Sequence, residues 1–265
     1  MKSRVITALI IIAVIIPIIY ISESVFRIFA LVIAAVGLHE FLDLFKDKKF
    51  SLISQIIFYA VTLLPIAIIG PGHVFHIIWF CFWTLVIYCT MIVDKNIKYS
   101  EMSAIYTFIM YFVIALCSAY MIRVSPDGFW TLIYVIGVTA ISDSFALFGG
   151  KAFGKHKLIP HISPNKTVEG SVTGILAGLI FGIIFYLLFP VLEVTSIFQI
   201  AIYSLVLAIT GQIGDLIFSS IKRNYGIKDF SNFLPGHGGI LDRVDSHLTN
   251  FIVFVLLVNL TRGLF

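Results

Sequence analysis

Apolar residues in this chain run in long stretches with short polar interruptions. A helix needs about 20 apolar residues to cross the hydrocarbon core of a bilayer. On that measure nine spans are predicted, near Val5–Tyr20, Val25–Phe45, Leu52–Ile69, Val74–Val93, Ala104–Ile122, Phe129–Phe148, Val168–Phe189, Ile197–Ser219 and Leu248–Leu260. The breaks fall at turn and charge signals such as Gly70-Pro71-Gly72 and Ser125-Pro126-Asp127-Gly128. The first apolar run follows Met1-Lys2-Ser3-Arg4, as a signal peptide would. No small-residue cleavage site follows it, because Ile15 to Ser24 is bulky, and it is read as a transmembrane helix. Most connections are short. The two long ones, Gly149–Thr167 and Ser220–His247, hold most of the unusual residues. The expected fold class is all-α and polytopic, about nine transmembrane helices with no soluble domain and no repeat. Residues 1–125 (spans one to five) read as scaffold and 126–265 as the catalytic region.

Composition narrows the class. Of 265 residues, 60% are hydrophobic and only 12% are charged, against about a quarter charged in soluble domains. Mean hydropathy is +1.05. A soluble single domain, disorder, collagen and a disulfide scaffold are excluded. Cys81, Cys89 and Cys117 lie in apolar stretches, fit no metal or disulfide spacing, and read as buried thiols.

Charge placement sets the expected orientation. With the N-terminus in the cytoplasm, the even-numbered connections are cytoplasmic too. Those segments hold every Lys and Arg except Arg27, Arg123 and Arg262, of 18 in all. This is the asymmetry of the positive-inside rule. It places both long loops on the cytoplasmic side and the C-terminus outside.

Two acids lie within predicted spans: Asp143 in span six and Asp215 in span eight. A charge at a helix centre costs roughly 2.5–3.5 kcal/mol, so such residues face polar cavities and pair with a partner. A bare interhelical hydrogen bond is the alternative reading. Asp242 and Asp245, just before span nine, are three apart and share a helix face. With Asp215 they can gather three carboxylates at the cytoplasmic boundary. Such hard oxygen donors suit Mg²⁺, which binds one or two carboxylates plus substrate phosphates. Glu40 and Asp43 adjoin Lys46, Lys48 and Lys49 and read as ordinary charge partners.

The first long loop begins Gly149-Gly-Lys-Ala-Phe-Gly-Lys, a partial P-loop match. His156 stands where Ser or Thr should be and a helix precedes it, so the P-loop reading is rejected. Its glycines, with Lys151, Lys155, Lys157 and Lys166, can still face phosphate. Asn165, Lys166 and Thr167 open span seven, where free N–H groups favour anions. Contact with anionic lipid heads remains open as a second reading. Gly170, Gly174, Gly178 and Gly182 make a small-residue face for internal packing or for a homodimer contact. In the second loop, Lys222, Arg223, Lys228 and Arg243 can bind phosphate oxygens. His237, within Pro235-Gly-His-Gly-Gly, reads equally as structural or catalytic.

The second loop resembles the signature of the phosphatidate cytidylyltransferase (CDP-diacylglycerol synthase) family. The pattern is S-x-x-K-R, then K-D, P-G-H-G-G and D-R-x-D. It is met at Ser219 or Ser220, Lys222, Arg223, Lys228, Asp229, Pro235, Gly236, His237, Gly238, Gly239, Asp242, Arg243 and Asp245. The Asp143 segment, Ser163-Pro-Asn-Lys-Thr-Val-Glu-Gly and Gly214-Asp215 are also similar to the family. The resemblance covers roughly Asp143 to Ser246. It implies that CTP and phosphatidic acid give CDP-diacylglycerol and pyrophosphate, in phospholipid biosynthesis at the inner or plasma membrane, with membrane lipids but no nucleic acid as partners. The implied catalytic set is Asp215, Asp242, Asp245, Lys166, Lys222, Arg223 and His237, the first three holding Mg²⁺ with a second cation compatible. The implied substrate-binding set is Asp143, Ser163, Asn165, Thr167, Glu169, Lys228, Asp229, Gly238, Gly239 and Arg243. The rivals are a CTP-dependent enzyme on isoprenoid or ether lipids and an ion-coupled transporter. The D-G-x-x-A-R…G…D…D spacing of CDP-alcohol phosphotransferases is absent.

Overall fold

The structure is a computed structural model and describes residues 13–45, 50–68, 77–192, 194, 196–233 and 238–261. Residues 13–21 are helical (α1). Then follow α2 (Glu23–Leu42, continued by a 3₁₀ turn at Asp43–Phe45), α3 (Leu52–Ile68), α4 (Ile77–Val93), α5 (Tyr99–Val124) and α6 (Gly128–Phe153). A hairpin of β1 (Lys157–Ile159) and β2 (Ser163–Thr167) leads to α7 (Val168–Leu188), α8 (Ile197–Asn224) and α9 (Leu241–Thr261). Among the described residues six helices are long and apolar enough to cross a membrane: α2 with its 3₁₀ turn, and α5 to α9. The shorter apolar helices, Leu52–Ile68 and Cys81–Val93, fall below that length. The protein is an all-α polytopic membrane protein with six full-length candidate crossings among the described residues; nine are expected, and residues 5–12, 69 and 74–76 of the first, third and fourth expected spans lie outside the described residues.

Three boundaries differ in ways that matter. Helix α6 runs on to Phe153, so Gly149, Gly150 and Lys151 are helical and are not a phosphate-facing loop. Gly149 is there for packing: a Cβ on it would stand 2.5 Å from the Thr173 side chain. Helix α9 begins at Leu241, seven residues before the predicted Leu248, and takes Asp242 and Asp245 into its first turns. The hairpin is absent from the sequence expectation. It is antiparallel, pairing Lys157 with Thr167 and Ile159 with Ser163. Pro164 is tolerated because both strands of a two-stranded ribbon are edges.

By internal contacts the chain forms two compact units, Met1–Met121 with Phe230–Leu241, and Ile122–Asp229 with Asp242–Phe265. In the first, α2 packs on α3 and α3 on α4. The Phe41 and Phe108 rings stack with centroids 3.8 Å apart. Asp94, buried between α4 and α5, accepts hydrogen bonds from the amides of Ser51 (2.6 Å) and Asn96 (3.1 Å) and from the Ser54 hydroxyl (3.1 Å). Burial alone would raise its pKa, but these donors favour the carboxylate and hold it below the ordinary value. Cys117 is buried, whereas Cys81 and Cys89 are exposed, correcting the expectation of three buried thiols. An apolar α4 need not bury every side chain, because its outer face can meet lipid. Glu40 is also corrected: it is buried, only 2% exposed, and is no surface charge, while Lys46, Lys48 and Lys49 lie outside the described residues.

In the second unit α6, α7 and α8 pack on one another. The four glycines of α7 are buried and face inward. A Cβ would stand 2.5 Å from the Ala146 carbonyl at Gly170 and 2.5 Å from the Ser142 carbonyl at Gly174. At Gly178 it would stand 3.0 Å from the Ala208 Cβ. The opposite face, Val172, Leu176, Ile180 and Ile184, is exposed. The stripe is therefore spent on packing within the unit and is not available to a second copy.

Candidate active site

The second unit brings Asp143 of α6, Lys166 of β2, Asp215 and Lys222 of α8, and Asp242 and Asp245 of α9 into one cluster. Lys166 Nζ lies 2.6 Å from Asp215 Oδ2, both side chains a little over a quarter exposed. Lys222 Nζ lies 2.6 Å from Asp242 Oδ1, with 9% and 2% of the two side chains exposed. Asp143 is within electrostatic reach of Asp215 and Lys166, and Asp245 of Asp215, Lys222 and Asp143. The Ser246 hydroxyl stands within hydrogen-bond reach of both Asp143 and Asp245. The Ser219 hydroxyl donates to Asp215 Oδ1 at 3.1 Å, so of the two candidate serines it is Ser219 that touches the cluster. Spacing explains the arrangement: Asp215, Ser219 and Lys222 rise along one face of α8, as Asp242 and Asp245 do on α9.

Two buried amides tie the helices about one turn beneath these carboxylates. Gln212, three residues before Asp215, donates to the Ser142 hydroxyl (3.3 Å) and the Ser171 carbonyl (3.2 Å) and accepts from the Ser171 hydroxyl. That links α6, α7 and α8. Asn250 donates to the Thr139 hydroxyl (2.7 Å) and the Leu207 carbonyl (2.9 Å), and accepts from the Thr210 hydroxyl (2.7 Å). That links α6, α8 and α9. Neither amide stands out in the sequence; Gln212 carries a signal, a polar residue one turn before the intramembrane Asp215, and Asn250 carries none. Asn250→Leu is expected to lower stability by about 1–2 kcal/mol, the upper range for interhelical hydrogen bonds in membranes. Thermal unfolding in detergent checks it, and an unchanged midpoint contradicts the lock.

Other candidates are placed differently. Arg223 Nε donates to the Ile162 carbonyl (3.2 Å) and a terminal nitrogen to the Ile227 carbonyl (2.8 Å). It ties the hairpin to the turn after α8, which uses donors otherwise free for phosphate. Ser163, Asn165 and Thr167 lie in β2, which ends at the start of α7 with Thr167 as its N-cap. The Thr167 hydroxyl caps the Gly170 amide (3.1 Å), and the Val168 amide donates to the His156 carbonyl (2.9 Å). The start of α7 is thus partly filled by protein groups, which weakens its reading as an anion site. Glu169 accepts from the Lys155 amide (3.0 Å) and meets His156 Nδ1 at 2.6 Å, latching the loop. Lys228, Asp229 and Arg243 are exposed. Gly238 (φ +78°) and Gly239 belong to the first unit. His237 lies outside the described residues.

Four carboxylates against two lysines leave the cluster a formal surplus of two negative charges. Among the described residues no group of three His, Cys, Asp or Glu side chains stands close enough to hold a metal together. The set does fit a hard cation that takes one or two carboxylates and completes its shell with phosphate oxygens.

The fold and cluster define an integral membrane protein with buried ionisable groups set into its helices. The family model that matches residues 2–261 is the cytidylyltransferase family, and the chain belongs to it. It is 32% identical over 261 residues to the phosphatidate cytidylyltransferase of Staphylococcus haemolyticus, covering 94% of this chain and 95% of that protein. It is also 32% identical over 252 residues to the phosphatidate cytidylyltransferase of Staphylococcus aureus strain COL, with the same coverage.

Proposed function

We propose that the chain is a phosphatidate cytidylyltransferase, converting CTP and phosphatidic acid to CDP-diacylglycerol and pyrophosphate. The observation that carries the reading is the paired cluster, Lys166 with Asp215 and buried Lys222 with Asp242, in a chain of this family. An oxygen of the lipid phosphate attacks the α-phosphorus of CTP. The new P–O bond forms as the bond to the β-phosphate bridging oxygen breaks, and pyrophosphate leaves with that electron pair. Such a displacement requires alignment and charge neutralisation more than covalent catalysis. Lys166 and Lys222 supply cationic donors to the phosphates. Asp215 and Asp242, with Asp245 beside them, are the residues that would hold Mg²⁺, whose role when bound is to neutralise charge on the reacting phosphates. Asp143 and Ser246 shape the same cluster from the side. The distribution of Lys and Arg supports a cytoplasmic active face, where CTP is available.

The test is purified protein in detergent with phosphatidic acid, Mg²⁺ and radiolabelled CTP. Label is expected in the organic phase, with equimolar pyrophosphate, and EDTA is expected to stop it. Label that stays aqueous with folded protein overturns the acceptor assignment; label on an isoprenoid or ether-lipid phosphate would then identify a related transferase.

A further inference from the structure

We infer that Glu40, on α2, is a positioning residue for the turn Gly238-Gly239 and for the first residue of α9. The inference rests on the functional reading above, because that turn leads directly into α9, which carries Asp242 and Asp245. Every contact it uses lies within the first unit.

Glu40 Oε1 accepts from the Ser231 hydroxyl (2.6 Å) and the Ile240 amide (2.9 Å), and Oε2 accepts from the Leu241 amide (2.8 Å). A buried carboxylate is costly unless donors surround it, and here three donors do. Two of them are amides at the open end of α9, where a helix leaves N–H groups unsatisfied and its dipole favours negative charge. Glu40 is thus a cap supplied from 200 residues away in sequence. The amides of Ile240 and Leu241 are committed to a protein carboxylate and not to a substrate phosphate. The same contact explains Gly239. A Cβ there would stand 2.6 Å from Glu40 Oε1 and 2.7 Å from Oε2, so the backbone reaches the carboxylate only without a side chain.

Full-length Glu40→Gln, Glu40→Ala, Gly239→Ala and the double variant Glu40→Ala/Gly239→Ala test this. A Gln keeps the shape and one acceptor oxygen but turns an NH₂ group towards a backbone donor. Glu40→Gln is expected to lower kcat about 10-fold and Glu40→Ala about 100-fold, the scale of a small misplacement of groups that align a substrate. Glu40→Gln is expected to lower the unfolding midpoint less than Glu40→Ala, because one acceptor oxygen remains, and to speed amide exchange at Ile240 and Leu241. Gly239→Ala alone is expected to lose activity through its clash. In the double variant the methyl fills the space left by the carboxylate, and the loss does not exceed that of Glu40→Ala. Unchanged kcat and KM in Glu40→Gln, unchanged exchange at those amides, or losses that multiply in the double variant would each overturn the inference. Wild-type protein that labels no lipid would sink the functional reading alone, because amide exchange still reads the anchor.

Discussion

Asp215→Asn and Asp242→Asn are each expected to cut CDP-lipid formation by more than about 100-fold, the loss that follows removal of a group ordering charge at a metal-dependent site. They are expected to differ in stability. Asp242 faces Lys222 in a pair almost closed to water. Neutralising one side of a buried pair costs up to about 3–5 kcal/mol, and somewhat less here because Asp245 stays within reach of Lys222. The Asp215–Lys166 pair is more open, and water screens it, so the cost of its loss falls nearer the ~1 kcal/mol of exposed pairs. Asp215 also lies within reach of Asp143 and Asp245, and removing its charge relieves repulsion that offsets part of the loss. Asp215→Asn therefore yields stable, inactive protein, and Asp242→Asn yields inactive protein with a much lower unfolding midpoint. Lys222→Met combined with Asp242→Leu removes both charges and is expected to regain most of the stability without the activity. Thermal unfolding in detergent, beside the radiolabel assay, reads both quantities. Normal turnover in Asp215→Asn or Asp242→Asn contradicts the roles of these carboxylates.

These residues were legible in the sequence because a charge inside an apolar run is expensive and stands out. Asp143 and Asp215 stand out that way, Asp242 and Asp245 by their three-residue spacing, and with Lys166 and Lys222 they meet in one cluster. What the sequence hid has a different physical origin. The start of α9 was missed because Asp242, Arg243, Asp245 and His247 dilute the apolar signal, while a helix bears polar residues readily where its neighbours are polar. The hairpin was missed because β1 and β2 are too short for period-two alternation to register. The contacts of Arg223 with the Ile162 and Ile227 carbonyls were hidden because its spacing says nothing of the hairpin or of the turn after α8. Glu40 looked like a surface charge because its neighbours in sequence are lysines, whereas its partners are Ser231, Ile240 and Leu241. Periodicity reads a residue's own helix, and long-range partners leave no trace in it.

The glycine stripe of α7 leads to the second large effect. Lipid tails are as apolar as leucine, so membrane helices associate through close contact and hydrogen bonds. Gly174→Ala is expected to prevent that contact: its methyl would stand 2.5 Å from the Ser142 carbonyl, which is backbone, and 3.1 Å from Gln212 Nε2. A backbone oxygen cannot rotate aside, and the displaced Gln212 would loosen the tie among α6, α7 and α8. The loss is expected at about 3 kcal/mol, the top of the range for overpacking. Gly178→Ala meets only the Ala208 methyl at 3.0 Å and side-chain carbons at 3.5 Å, and should cost about 1 kcal/mol, the low end of that range. Gly182→Ala runs into Ser204, whose Cβ would be 2.7 Å away. Its hydroxyl is held by Tyr134 (2.8 Å) and the Ile200 carbonyl (2.7 Å) and cannot simply turn away. Pairing Gly182→Ala with Ser204→Gly removes the obstacle and is expected to restore folded yield. Folded fraction by size-exclusion chromatography, with the unfolding midpoint, ranks the series. If Gly174→Ala were as stable as wild type and instead changed the oligomeric state, the stripe would be a contact between copies. An inward stripe predicts the opposite order, with the damage greatest where the neighbour is backbone and least where it is a lone methyl.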